Sequence, residues 1–307
     1  MKKFTLLLMS LLMVSSLALA QKKLCVHKLD GTKLEVLASE VSYIDFEDVY
    51  TDPDDDPVKP DDNPIYDGSF VAKPFSVSAS KTVTFSPGNL QYHPANDEWR
   101  FAPNQTDYIG EDNANISETY SGWIDLFGWG TGNNPTNAST DYNDYPTFVD
   151  WGVNKIGSDA PNTWRTLTYD EWRYVCFNRP NADELIGVAE VNGVNGLILL
   201  PDSWTCPSGV TFKSGFDYDW CTECYGSYQT FSSSEWSKLE ASGVVFFPAA
   251  GRRYGSGVDR VQYRGGYWSA TGYYDYGAYD LDFYSVGAYM YGDLDRYSGH
   301  SVRLVQD

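Results

Sequence analysis

Asp280-Leu281-Asp282-Phe283-Tyr284-Ser285-Val286-Gly287-Ala288-Tyr289-Met290-Tyr291 is the stretch on which the architecture turns. Successive side chains of a β-strand point to opposite faces, so a period of two separates an inner set from an outer one. Leu281, Phe283 and Met290 fall on one side of a hairpin turning through 285–288, the side that suits a core. Asp280, Asp282, Tyr284, Tyr289 and Tyr291 fall on the other side and are expected to face solvent. Tyr273, Tyr274, Asp275 and Tyr276 come before this hairpin, and Asp293, Asp295 and Tyr297 come after it. These twelve tyrosines and aspartates form the candidate ligand-binding set.

The neighbourhood strengthens that reading. Residues 251–307 hold 11 of the chain's 24 tyrosines and no asparagine, although asparagine is common upstream. Tyrosine offers a large contact area at small entropic cost, with one hydroxyl for a directional bond; Ser, Gly and Asp add adaptable polar contacts. The competing explanation is that tyrosine merely fills β positions. Clustering on the outward parity favours binding.

Two helices are announced upstream by the same local device. In Leu167-Thr168-Tyr169-Asp170-Glu171-Trp172, Thr168 caps and Glu171 reaches back, while Leu167 and Trp172 are spaced as a hydrophobic staple. Trp172, Val175 and Cys176 form the inward stripe, and Pro180 ends the helix. Phe231, Ser232, Glu235 and Trp236 repeat the arrangement, with Leu239 and Ala241 continuing until Gly243. Strands are expected from the alternation of Phe75, Val77, Val83 and Phe85, from Leu90–Tyr92 and Trp99–Phe101 flanking a turn at 94–97, and from the apolar runs 197–200 and 244–247. Asn192-Gly193 and Asn195-Gly196 both read as turn signals. Two short helices among many short strands make an α+β domain. Trp172, Trp236, Trp268, Phe283 and Arg303 are expected to hold this scaffold.

The whole chain has 307 residues, with 42 acidic against 22 basic side chains and a net charge of −20. A hydrophobic content of 42% supports a sizeable core. Such acidity repels nucleic acid and anionic membranes, so neither is expected as a partner. Met1-Lys2-Lys3, an apolar run to Leu17 and Ala18-Leu19-Ala20 are the parts of a secretory signal peptide, 1–20. The run is too short to span a bilayer, and no integral membrane segment follows. An exported protein is expected, in the periplasm, at the cell surface or secreted. Residues 21–50 read as a small β-hairpin module turning at Asp30-Gly31, and 51–65 as an Asp/Pro-rich linker. The main domain is placed at 66–307. Five cysteines permit disulfides in an oxidising compartment, with Cys221 and Cys224 expected to bridge locally or to Cys206.

Trp164-Arg-Thr-Leu-Thr-Tyr-Asp-Glu-Trp172, Val191-Asn-Gly-Val-Asn-Gly-Leu-Ile-Leu-Leu-Pro201, Phe247-Pro-Ala-Ala-Gly251, Tyr267-Trp-Ser-Ala-Thr271 and Ser301-Val-Arg-Leu-Val305 resemble motifs of the FISUMP (major paralogous domain) family of exported bacterial proteins. Phe85-Ser-Pro-Gly-Asn-Leu-Gln-Tyr92 and Ser121-Gly-Trp-Ile-Asp-Leu-Phe-Gly-Trp-Gly130 extend the resemblance over roughly 75–307. It implies a C-type-lectin-like fold, more distantly similar to formylglycine-generating enzymes. Arg264-Gly-Gly-Tyr-Trp268 and Ser301-Val-Arg303 echo that branch, with His300 where it carries an aromatic. Some proteins of this fold are diversified by retroelements that rewrite Asn codons chiefly to Tyr, Asp, Ser, Gly, Ala and His. The asparagine-free, tyrosine-rich segment 267–300 fits a diversified copy.

The resemblance and the composition together imply a receptor or adhesin that grips protein or glycan. A structural or assembly subunit of a surface appendage is the alternative. No catalytic residue, metal ligand or cofactor is expected. The oxidase branch uses a cysteine pair near the end of its domain, and here no cysteine follows Cys224. Three scattered histidines lack a nucleophile motif, and the tripeptides of calcium-dependent sugar binding are missing.

Overall fold

The computed structural model describes residues 23–27, 33–37, 70–216 and 229–307. The leader, the linker, Asp30-Gly31, Cys221 and Cys224 lie outside the described residues. The chain divides into two units, 1–63 and 64–307. In the first, β1 (Lys23–His27) pairs antiparallel with β2 (Lys33–Leu37), Lys23 opposite Leu37.

The second unit is α+β, with few short helices and several small, mostly antiparallel sheets. Its first strands are β3 (Phe75–Ser76) and β4 (Thr82–Phe85), followed by the hairpin β5 (Leu90–His93) and β6 (Glu98–Phe101). A long irregular stretch leads to β7 (Arg165–Thr166) and helix α1 (Tyr169–Arg173). Next come β8 (Ile186–Val191) and β9 (Val194–Leu199), then β10 (Thr230–Phe231), α2 (Ser233–Ala241) and β11 (Val245–Pro248). β12 (Arg252–Tyr254) and β13 (Gly257–Asp259) form a small ribbon. β14 (Gly265–Tyr273), β15 (Gly277–Tyr284) and β16 (Gly287–Asp295) form a three-stranded meander, and β17 (Leu304–Gln306) closes the chain between β4 and β7. No helix among the described residues is long and apolar enough to cross a membrane.

Local chemistry explains the helices. Thr168 accepts from the Glu171 amide while the Glu171 carboxylate accepts from the Thr168 amide, and Ser232 and Glu235 repeat the exchange. Two otherwise orphaned donors are thereby satisfied at each start. After α1 the chain relaxes into a π-turn over Tyr174–Asn178 that buries Val175 and Cys176. Arg179, held extended by the following proline, ends it. Gly243, at φ +89°, stops α2.

Three expectations need correction. Phe75 to Phe85 is not one strand but two, β3 and β4, paired with each other. Asn192-Gly193 does close a two-residue hairpin between β8 and β9, both residues having positive φ. Asn195-Gly196, however, lies within β9, where Gly196 lets the Phe246 ring and the Phe247 carbonyl approach too closely for any Cβ. The dipeptide signals a close approach there, not a turn. The thiols of Cys176 and Cys206 are free, so of the two alternatives the bridge to Cys206 is absent, and the local one lies outside the described residues.

Three cores hold the unit. Trp172 lies at the centre of the first, its ring 5.8 Å from both Phe85 and Phe247 and its Nε1 donating to the Trp268 carbonyl. The second gathers Trp99, Phe127, Trp129, Trp151 and Trp268. The third packs Trp236 and Leu239 of α2 on Phe246. Arg303 is fully buried; it donates to Gln105 Oε1 at 2.7 Å, and burial lowers its guanidinium pKa to about 10. Truncating Trp172→Ala is expected to cost about 3–5 kcal/mol in chemical denaturation, against about 1 kcal/mol for Thr168→Ala. Similar losses in the two variants would show that the Trp172 site is not a packed core.

Candidate functional site

The meander β14–β15–β16 places the candidate residues, and it is covered on both faces. Tyr267, Leu281 and Phe283 point into the first core, as the alternation predicts, with Met290 packed against it. Trp268 and Ala278 point the opposite way, into the second core. The face expected to meet solvent is therefore largely an interior face at the sheet's centre.

Asp280 and Asp282 are the consequence: both are buried, at 0% and 1% exposure, instead of facing water. A buried carboxylate needs a partner, and Arg264, just before the meander, supplies the positive charge that both carboxylates feel. Arg264 Nε donates to Asp282 Oδ1 at 2.6 Å, and His300 Nδ1 lies 3.0 Å from Asp280 Oδ2. Burial and the neighbouring Asp280 carboxylate raise the Asp282 pKa to about 6. His300 stacks on Trp268, centroids 4.6 Å apart and planes 25° from parallel, so the imidazole packs as a flat aromatic ring. Complete burial, with Arg264, Arg252 and Arg253 nearby, lowers its pKa to about 3. Gly265 and Gly266 bring the backbone against the Phe283 and His300 rings, where a Cβ would overlap them. That is the structural meaning of the Arg264-Gly-Gly sequence.

The remaining candidates separate towards the two ends of the sheet. Tyr284 and the exposed Tyr289 lie beside the turn between β15 and β16, with Tyr284 under the Arg264 guanidinium at 5.7 Å. The opposite end, roughly 23 Å away along β15 at 3.3 Å per residue, is the turn Tyr274-Asp275-Tyr276. Asp295 pairs with Gly277 at this end, and the Tyr297 ring packs edge-on against the exposed Tyr254. The backbones of Tyr291 and Asp293 lie in β16. The structure thus does not gather the expected set into one surface.

What it does gather is a cluster of tyrosines at the tip. Tyr274 is 72% exposed and Tyr276 40%. Tyr273 contacts both and also reaches Tyr279, centroids 5.1 Å apart; Tyr279 in turn lies 4.2 Å from Tyr169 at the start of α1. Tyr169 and Tyr279 extend the candidate site beyond the sequence reading. Tyr279 shares the parity of Leu281 and should be core-facing. It keeps that parity, packing on Tyr169 of α1 at the rim of the first core, while extra residues in β14 and β16 flank it. Tyr169 joins through folding alone, its amide donating to Thr271 Oγ1 in the bulged segment.

Arg296 fixes the tip. Its guanidinium donates to the carbonyls of Tyr274, Gly277 and Tyr145 at 2.7, 3.0 and 3.2 Å, lies 4.5 Å over the Trp129 ring, and its amide bonds Tyr276 O. These bonds hold Tyr274 in a left-handed conformation, φ +45°, that a bulky residue rarely adopts unaided. Beside the tip, Trp129, Asn133, Asn134, Asn137 and Asp144 line a shallow polar cleft of about 230 Å³. No cluster of metal ligands occurs among the described residues.

Residues 227–305, which run from just before β10 into β17 and include the meander but not Tyr169, match the model of a domain of unknown function (DUF8237). No curated protein and no solved structure matches the chain.

His300 gives a pH test of the buried face. Its folded pKa lies below the unfolded value, so the unfolded chain binds more protons below pH 6.5 and stability falls as pH drops. Between pH 7 and pH 5 the native protein should lose about 2 kcal/mol more stability than His300→Gln, measured by denaturant titration at each pH. Equal losses would mean that the imidazole is charged in the fold.

Proposed function

We propose that the chain is an exported ligand-binding protein, a receptor or adhesin of C-type-lectin-like fold and FISUMP-like sequence, that takes protein or glycan at the tyrosine tip. The exposure of Tyr274 and Tyr276 on a turn clamped by Arg296 carries this reading. Monomeric proteins seldom expose clustered aromatics without a use for them. Rings presented on a rigid turn give up little entropy on contact. The buried pairs beneath make the platform rigid, whereas the tip residues can change without disturbing any core. That separation of roles suits a retroelement-diversified copy in which exposed positions vary over a constant scaffold.

Two measurements test the reading. On glycan and secreted-protein arrays, the Tyr274→Ala/Tyr276→Ala double variant should lose the native protein's ligand by about tenfold or more, as expected for removing aromatic anchors worth 1 kcal/mol or above. Unchanged binding would move the assignment to an appendage subunit. Sequencing around the gene should reveal a near-identical template repeat and a reverse-transcriptase gene; their absence would overturn the diversification.

A further inference from the structure

The surface beside the tyrosine tip is polar where the tip is aromatic. The tip rings pack on one another: Tyr273 stands edge-on to Tyr274 with centroids 4.5 Å apart, and Tyr276 lies nearly parallel to Tyr274 at 6.3 Å. A ligand therefore meets their outward surfaces, above all that of Tyr274, 72% exposed. The neighbouring cleft, about 230 Å³, is lined by Trp129, Asn133, Asn134, Asp144, Pro146 and Thr147 among others. One guanidinium joins the two. Arg296 donates to the Tyr274 carbonyl from Nη2 and to the Tyr145 and Pro146 carbonyls from Nη1, so the cleft wall and the tip lie side by side.

Backbone bonds fix the cleft. The Asn134 amide donates to the Thr131 carbonyl and the Asn137 amide to the Asn134 carbonyl, giving two successive turns. Gly132 is anchored twice: its amide donates to the Val149 carbonyl, and its own carbonyl accepts from Asn154 Nδ2 at 2.7 Å. On this frame the Asn133 and Asn134 carboxamides and the Thr147 hydroxyl are exposed and bond no other described residue.

The chemistry of these groups selects an occupant. None of the described residues lining the cleft is basic, and the chain carries −20, which disfavours an anion. The carboxylate in the lining, Asp144, accepts from Ser139 Oγ, and Asp275 at the tip acts on the Arg296 guanidinium, so neither is an unused counter-charge for a cation. An apolar group would strip water from the carboxamides and give nothing back. A neutral sugar meets each requirement. Vicinal hydroxyls match the paired donor and acceptor of a carboxamide, while the C–H face of the ring packs on an exposed aromatic. The cleft is smaller than the roughly 300–1,000 Å³ of drug-sized pockets, which suits one sugar ring inside and the rest of a chain outside.

We propose that the cleft and the outward face of Tyr274 together bind a neutral terminal sugar of a glycan, with Asn133, Asn134 and Thr147 taking its hydroxyls. This rests on the tyrosine tip being the ligand site and narrows its ligand from protein or glycan to glycan.

The methyl glycosides of glucose, galactose, mannose and N-acetylglucosamine are the probes; sorbitol, with the hydroxyls but no ring face, is the control. In ligand-observed NMR titrations of the full chain, at least one glycoside should bind with a Kd of about 1–10 mM, and sorbitol about tenfold more weakly or worse. EDTA should leave that binding unchanged, since side chains and not a metal hold the sugar. Asn133→Ala/Asn134→Ala and Tyr274→Ala should each weaken the glycoside about tenfold, as expected for two lost hydrogen bonds or one lost aromatic contact. Tyr289→Ala, an exposed change at the far end of the sheet, should not, and circular dichroism should confirm that every variant is folded. The inference is overturned by absence of glycoside binding, by binding no tighter than that of sorbitol, by binding abolished with EDTA, or by binding indifferent to either the asparagine or the tyrosine variant. In any of these cases, a protein ligand on the arrays lost by the Tyr274→Ala/Tyr276→Ala double variant would show that the tip stands and takes protein. Retention of every array ligand by that double variant would mean that the tip reading itself had failed.

Discussion

The three-stranded meander is covered on both faces, and most other features follow from that constraint. A sheet with one wet face can leave its charges in water, but this one cannot. Asp280 and Asp282 lie between apolar layers, so each must find a partner within the fold. Arg264 fills that need, bonding Asp282 and acting on Asp280 as well, while the uncharged His300 ring packs against Asp280. The paired glycines at 265 and 266 let the Phe283 and His300 rings approach the backbone. The centre of the sheet is thereby specific: loss of Arg264 would strand a buried charge.

Rigidity at the centre gives the ends their opportunity. Register shifts in β14 and β16 flank Tyr279 and interrupt the ladder on either side of it. Past the buried Gly277 and Ala278 the chain turns through Tyr274, Asp275 and Tyr276. Arg296 converts that turn from a loose loop into a fixed one by spending its donors on carbonyls that a turn leaves open. The aromatic rings are therefore presented with little freedom left to lose. Large, stiff, amphipathic groups held in this way are efficient recognition elements.

Much of the scaffold is legible in local sequence because its signals are local. Each capping box lies within six residues, and Asn192-Gly193 encodes a hairpin through backbone sterics alone. Trp172, Trp236, Trp268, Phe283 and Arg303 are all buried as their setting suggests. The candidate site was legible only at the turn 273–276, where clustering and turn geometry coincide. Asp280 and Asp282 were misplaced because period two reports which residues share a face, not what covers that face. Tyr169 was invisible because it lies far from the tyrosine-rich segment in sequence and reaches it only by folding.

The sequence alone determined the α+β class, the two capped helices, the hairpins and the inward parity of Leu281 and Phe283, since each depends on bonds and sterics spanning a few residues. Tertiary structure decided which tyrosines see water, which aspartates are paired in the interior, and where the bulges interrupt alternation. These outcomes depend on distant layers, β14 to β16 meeting α1, Trp129 and the 296–300 segment, and such meetings are set by packing of the whole unit.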